Sequence, residues 1–156
     1  MSDFEAFRAA SVSRGDLYIE ILRALESRLG REEATAAMKE AIHAWGRTLG
    51  GAIACHAPAN FAGLLEDFAL APDGGETFGA RVERCDGGGL DVQFMRCPLK
   101  EAWEAAKLPA EDIALLCDIA AEADYGTMDA AGFAVEIETW RPGRQGCCLL
   151  HIRPKG

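Results

Sequence analysis

Between residues 16 and 29, Leu17, Ile21, Leu25 and Leu29 recur at every fourth position, with Arg23, Glu26 and Arg28 among them. That spacing is the apolar stripe of an amphipathic helix, and Gly30 supplies its C-terminal stop. A shorter helix is expected over residues 3–10, with Ser11, Ser13 and Gly15 forming a break before the longer one. Residues 31–54 predict a second long helix whose stripe runs through Ala34, Met38, Ile42, Trp45 and Leu49. The pair Gly50-Gly51 either ends it or lets another backbone come close. Pro58 opens a short helical segment through Leu64, Leu65 and Phe68, and Ala71-Pro72-Asp73-Gly74-Gly75 breaks it.

The period then changes to two. Phe78, Ala80 and Val82 alternate with Gly79, Arg81 and Glu83, and Leu90, Val92 and Phe94 alternate with Asp91, Gln93 and Met95. The intervening Asp86-Gly87-Gly88-Gly89 is a turn, so the segment reads as a β-hairpin with one buried face. Pro98 starts another short helix containing Trp103. Pro109 starts a longer one with Ile113, Leu116, Cys117, Ala120 and Ala121 on its apolar side, expected to fail near Tyr125-Gly126. A second hairpin follows: Phe133, Val135 and Ile137 lead to a turn at Arg141-Pro142-Gly143-Arg144, and Cys148, Leu150 and Ile152 return. The expected class is α+β, with a helical N-terminal half and two β-hairpins forming a four-stranded antiparallel sheet packed on helices. No linker divides the 156 residues, so one domain is expected. It comprises a helical part (1–70) and a hairpin–helix–hairpin part (76–156).

Composition narrows the function classes. The net charge of −9 repels phosphate backbones, and Arg81, Arg84, Arg96, Arg141, Arg144 and Arg153 are interleaved with acids rather than clustered. Nucleic acid is therefore not an expected partner. No apolar run reaches the roughly 18 residues of a membrane span, and the polar start Met-Ser-Asp-Phe-Glu-Ala-Phe-Arg is unlike a signal peptide. A cytoplasmic location follows as the expectation, with six cysteines held as thiols. No Cys-x-x-Cys pair is present and the cysteine and histidine spacings match no ligand pattern, so no metal site is expected. Gly87-Gly88-Gly89 leads into a strand rather than a helix, and reads as a turn rather than a phosphate loop.

The thiols are the candidate chemistry. Cys97 follows a strand and directly precedes Pro98, which favours the first helical position. At such an N-cap, free N–H groups and the helix dipole would lower a thiol pKa, and Arg96 next to it could add positive charge. The alternative is a small hydrophobe closing a strand. Cys117 lies on an apolar helix stripe and reads first as a core thiol. Asp124 comes seven residues later, on the same face about 10 Å away. Buried there, it would have a raised pKa suited to proton transfer; in a frayed helix it would sit in water. Asp118 is rotated about 100° from Cys117 and is expected in solvent. Cys148 shares parity with Leu150 and Ile152 and should face the core, with Cys147 and His151 on the other face. The histidines His43, His56 and His151 form no triad signature, and His43 is expected at the surface; Cys55 and His56 could form a local pair, although adjacent residues rarely aim at each other.

Several of these segments together resemble the L-2-amino-thiazoline-4-carboxylate hydrolase family. The resemblance is carried from about Phe78 to Arg153 by Phe94-Met95-Arg96-Cys97, the short helix with Trp103, and Leu115-Leu116-Cys117-Asp118. It continues through the strand Glu138-Thr139-Trp140 and the approach Gly146-Cys147-Cys148. Arg28-Leu29-Gly30 and Gly46 through Gly51 fit the family's helical half more loosely. The resemblance implies a cofactor-free hydrolase that opens a small C–N-containing heterocycle, with Cys97 and Cys117 at the family's cysteine positions. Two positions depart from the family: Ala120 stands where an acid often lies, and Leu149 where an Asp often follows the last cysteine.

The combined reading is a cysteine-dependent hydrolase acting on a small cyclic amidine or amide. Cys97 attacks, Asp118 or Asp124 moves protons, and Arg96, Cys117 and Cys148 bind substrate. The alternative is a non-catalytic small-molecule sensor on the same scaffold. A third reading is an oligomerising scaffold, and apolar residues left on the helices are compatible with a homo-oligomer.

Overall fold

The computed structural model describes residues 1–156. Its elements run α1 (Asp3–Leu29), α2 (Arg31–Leu49), two single 3₁₀ turns (Gly50–Ala52 and Ala54–His56), and α3 (Phe61–Leu64), which widens into a π turn over Leu65–Leu70. They continue with β1 (Ala80–Asp86), β2 (Gly89–Phe94), α4 (Pro98–Ala105), α5 (Ala110–Ala131), β3 (Phe133–Glu138) and β4 (Leu149–Pro154). The four strands form one antiparallel sheet in the order β1-β2-β4-β3. The class is α+β, as the switch from a helical to a two-residue period predicts. No helix is long and apolar enough to cross a membrane.

The N-terminal helix is continuous where the sequence predicts a break. It begins with a capping box between Ser2 and Glu5 and runs through Ser11 and Gly15 to Gly30, whose φ of +81° stops it. Ser11 Oγ bonds the Phe7 carbonyl within the helix at 2.9 Å. Gly15 instead makes room for α4, since a Cβ there would lie 3.0 Å from Leu99 Cα. Trp103 of α4 completes this contact, its Nε1–H donating to Gly15 O at 2.9 Å. The buried face of α1 is therefore Ser11, Gly15, Tyr18, Ile19 and Leu22, whereas Leu17, Ile21 and Leu29 are exposed. Small residues, rather than the leucine stripe, choose which face is covered.

The same substitution of glycine for bulk governs α2, which ends at Leu49 rather than extending to 54. Ala34 and Met38 are buried as expected, but Trp45 and Leu49 are exposed and Gly46 and Gly50 are buried in their place. They lie against α5, which continues past Tyr125-Gly126 to Ala131 and ends on Gly132 in the left-handed conformation. A Cβ at Gly46 would fall 2.2 Å from Ala123 O, and one at Gly126 would fall 2.1 Å from His43 O. Thr127 Oγ1 donates across the contact to Gly46 O at 3.0 Å. His43 meets Glu122 at 3.1 Å, and Arg47 pairs with Asp129. Gly126, read from the sequence as a helix end, is thus a position where two backbones touch.

Helix α5 contributes to both hydrophobic clusters. One gathers Phe61, Leu64, Leu90, Val92, Met128, Phe133, Leu150 and Ile152 between sheet and helices. The other gathers Tyr18, Leu22, Met38, Leu99, Trp103, Ile113, Leu116 and Ile119 among the helices. Strand β2 is the buried centre of the first hairpin; β1 is an edge with Val82 exposed. The second hairpin is joined by residues 139–148, longer than the four-residue turn predicted.

Replacing Gly46 or Gly126 by Ala is expected to destabilise the protein by about 3 kcal/mol, the upper end for overpacking, because the obstacle is backbone. Gly51, with nothing within 4 Å of its Cβ position, is the control, and Gly51→Ala is expected to be neutral or stabilising by up to about 1 kcal/mol in urea melts.

Candidate active site

The end of β2, the start of α4, the middle of α5 and the start of β4 converge on a cavity of about 260 Å³. Of its 21 lining residues 16 are hydrophobic, so a charge within it is poorly solvated. Cys97, Cys117, Cys147, Cys148, Asp124, Arg14 and Arg96 all line it. The volume lies just below the ~300–1,000 Å³ usual for drug-sized ligands and suits one small ring.

Cys97 is the N-cap residue of α4, in extended conformation, with Pro98 beginning the helix. Its thiol pKa is not lowered as that position predicts. Burial pushes it up, and the Lys100 and Leu99 amides and the Arg14 charge only partly oppose this. Burial likewise raises Cys117 and Cys148, and brings Cys147 to about 12. All four thiols rest in the protonated form at neutral pH.

Cys147 is buried rather than on the opposite face with His151. The cause is a β-bulge. Phe94 N–H donates to Cys148 O at 2.9 Å, while Phe94 O accepts from Cys147 N–H at 2.8 Å, so one residue faces two. The buried Gln93 amide donates to Cys148 O at 3.1 Å and Cys147 O at 3.4 Å, tying down the bulge. Gly146, at φ +78°, delivers the chain into it. Both cysteines consequently line the cavity.

Asp124 lines the cavity two helical turns beyond Cys117, on the uninterrupted α5. Burial raises its pKa to about 6, with the Arg14 charge acting the other way and no hydrogen bond contributing. Asp118 does not line the cavity. It is instead held by both Arg141 terminal nitrogens at 3.0 Å and by Thr139 Oγ1, anchoring the β3–β4 connection to α5. Arg96 reaches the cavity wall but pairs with Glu101 at 3.0 Å. His56 turns to Asp67 at 2.7 Å and to Asn60, while Cys55 is exposed, so the two form no pair. His43 is half-buried against Glu122, and His151 lies with Asp91 and Glu138 on the outer side of the sheet. No group of three or more His, Cys, Asp or Glu is arranged to hold a metal ion.

Sequence reasoning missed Arg14, Asp73 and Cys147 as cavity residues. Asp73 is taken up by the Gly75 and Thr77 amides at 3.1 and 2.9 Å. Arg14 could have been found from its place beside Gly15 and four residues before Tyr18, on the small-residue seam of α1.

Fold and cavity together define an α+β protein with a ligand-sized pocket of thiols and one buried acid. Residues 11–151 match the family model of L-2-amino-thiazoline-4-carboxylic acid hydrolase, and the chain belongs to that hydrolase family. The match extends through the helical half as well as the sheet. None of the curated proteins matches it.

The raised Asp124 pKa has a stability consequence. Between its ordinary value of 3.8 and its folded value of about 6, the folded chain keeps a proton that the unfolded chain has lost. Its contribution to stability therefore falls as pH rises through that window and stays unfavourable above it. Asp124→Asn is expected to stabilise the protein at pH 7–8 by up to about 3 kcal/mol, with the gain vanishing near pH 4. Urea melts of both proteins across this range check it.

Proposed function

We propose that the protein is a cysteine-dependent hydrolase that opens a small heterocycle of the thiazoline-carboxylate or cyclic amidine type, with Cys97 as nucleophile and Asp124 as its proton carrier. The carrying observation is their convergence: the helix-capping thiol and the one cavity acid without hydrogen bonds line the same apolar pocket. Family membership supports the hydrolase chemistry and the substrate class.

The sequence of steps follows from the resting charges. Above about pH 6 Asp124 is a carboxylate and takes the proton of the Cys97 thiol as Sγ bonds to the electrophilic ring carbon between the heteroatoms. The π electrons of the ring C=N bond move onto nitrogen. Asp124 returns the proton to that nitrogen; the lone pair of the exocyclic amino group then forms a C=N bond as the ring C–N bond breaks, and one amino proton passes through Asp124 to the leaving nitrogen, which departs as an amine. Water then adds to the same carbon and Sγ departs, recovering its proton, so the net change is addition of one water. The Leu99 and Lys100 amides, which favour the charged form of Cys97, stabilise negative charge around the sulfur. Cys117, Cys147 and Cys148 give the pocket shape and keep it apolar.

The raised pKa of all four cavity thiols specifically favours a second reading, a small-molecule binding domain in which they are lining alone. That reading requires ligand-dependent stabilisation without product.

Cys97→Ala separates the two. It is expected to lower kcat for ring opening by at least about 10³-fold while preserving a cooperative melt; Cys85→Ala, at an exposed thiol, should match wild type. The wild-type kcat/KM, which reports the free enzyme, should rise with pH through a limb near 6 that Asp124→Asn removes. Turnover unchanged in Cys97→Ala would exclude this nucleophile, and ligand binding without any product would establish the binding-domain reading.

A further inference from the structure

Arg14 sits in the middle of α1 with its guanidinium over the Trp45 ring, 5.0 Å from the centroid. It lines the cavity, yet its Nε is buried and has no hydrogen-bond partner. A buried, unused donor on a charged group is costly unless something completes it. The protein's own carboxylates do not. Glu101 is committed to Arg8 and Arg96, Asp73 to the amides of its loop, and Asp124 makes no hydrogen bond. The other cavity cation, Arg96, is already paired. One turn further along α1, the Tyr18 hydroxyl is also buried without a partner and feels the Arg14 and Asp124 charges. Arg14 on α1 and the unpaired acid Asp124 on α5 both line the space, which is sized for one small ring.

We propose that Arg14 anchors a carboxylate on the substrate, so that the cavity selects small heterocycles bearing a carboxylate over their neutral counterparts. The ring and its carboxylate rest on the ring-opening reading above; the assignment of that carboxylate to Arg14 rests on the placement of Arg14 in the cavity. A guanidinium presents a planar fork of donors matched to a carboxylate, and stacking on Trp45 fixes the plane of that fork before the ligand arrives. An anion there also leaves the electrophilic end of the ring free to lie toward Cys97 and Asp124. Arg14 is in this sense a binding and specificity residue rather than a catalytic one.

Binding of L-2-amino-thiazoline-4-carboxylic acid and of its neutral twin, 2-amino-2-thiazoline, to the full chain tests this by calorimetry, with product followed in the same samples. Wild type should prefer the acid. Arg14→Gln should weaken the acid on the order of 100-fold and leave the neutral ring unchanged. Arg14→Lys, which keeps the charge and loses the fork, should weaken the acid roughly tenfold and guards against a Gln variant that does not fold. Equal loss on both rings, or no loss on either, in the folded variant would overturn the assignment, as would failure of wild type to bind the acid. Selective binding without product would leave Arg14 assigned and refute only the ring-opening reading.

Discussion

The site depends on two helices whose backbones touch. At Gly46 and Gly126 there is no room for a methyl group, because Ala123 O and His43 O occupy the place where it would go. Removing Cβ lets two helical backbones approach more closely than the 8–10 Å usual between helix axes allows with larger side chains. The contact fixes α5 against α2 in rotation as well as distance, and Thr127 bonding Gly46 O pins the register. Since α5 carries Cys117 and Asp124 two turns apart, its rotation decides whether those groups see the cavity. The exposed ion pairs around the contact, Arg47 with Asp129 among them, decorate a geometry that close packing has already set.

A second consequence of that packing is electrostatic. The helices and the sheet enclose an apolar space, and burial biases its four thiols and Asp124 toward their neutral forms. Four thiols stay protonated, and burial holds Asp124 well above the ordinary carboxylate range, at about 6. A buried acid that lowers stability at neutral pH is the kind of group the proposed proton transfer would use. Asp118 shows the contrast. With the same chemistry, on the same helix, it is fully engaged by Arg141 and Thr139 and acts as a tie between elements.

Much of the fold was legible because period and punctuation agree. The switch from four-residue to two-residue spacing, the prolines at the starts of α4 and α5, and the glycines between β1 and β2 each name an element independently. Legibility failed where a small residue stands in for a large one. Gly15 and Gly126 read as breaks and Gly46 as an ordinary position within a helix, but each is a place where another element comes close, so the covered faces of α1 and α2 were misjudged. Periodicity counts apolar bulk and cannot register a contact made by its absence. The cavity was half legible for a related reason. Cys97 and Cys117 followed from caps and stripes, whereas Cys147 depended on a bulge that shifts parity by one residue, and Arg14 on the covered face of a helix whose other face looked apolar.

The apolar pocket raises a problem that the proposed substrate class itself resolves. A thiol held protonated by burial is a poor nucleophile, and the helix amides beside Cys97 do not overcome that burial. A cyclic amidine is a base and carries positive charge when protonated. Placed between Arg14 and Asp124, a ring with a carboxylate at one end and an amidinium at the other aligns its own dipole with the pocket's. Its cationic end would then draw down the pKa of both the acid and the thiol where bond formation occurs, an effect enlarged by low dielectric. On this reading the empty pocket keeps its cysteines inert toward oxidants and alkylating agents, and the substrate supplies the charge that activates them. The same desolvation that destabilises Asp124 makes the nucleophile conditional on the ligand, which is why an apolar box, rather than a polar cleft, suits a hydrolase built on unpaired thiols.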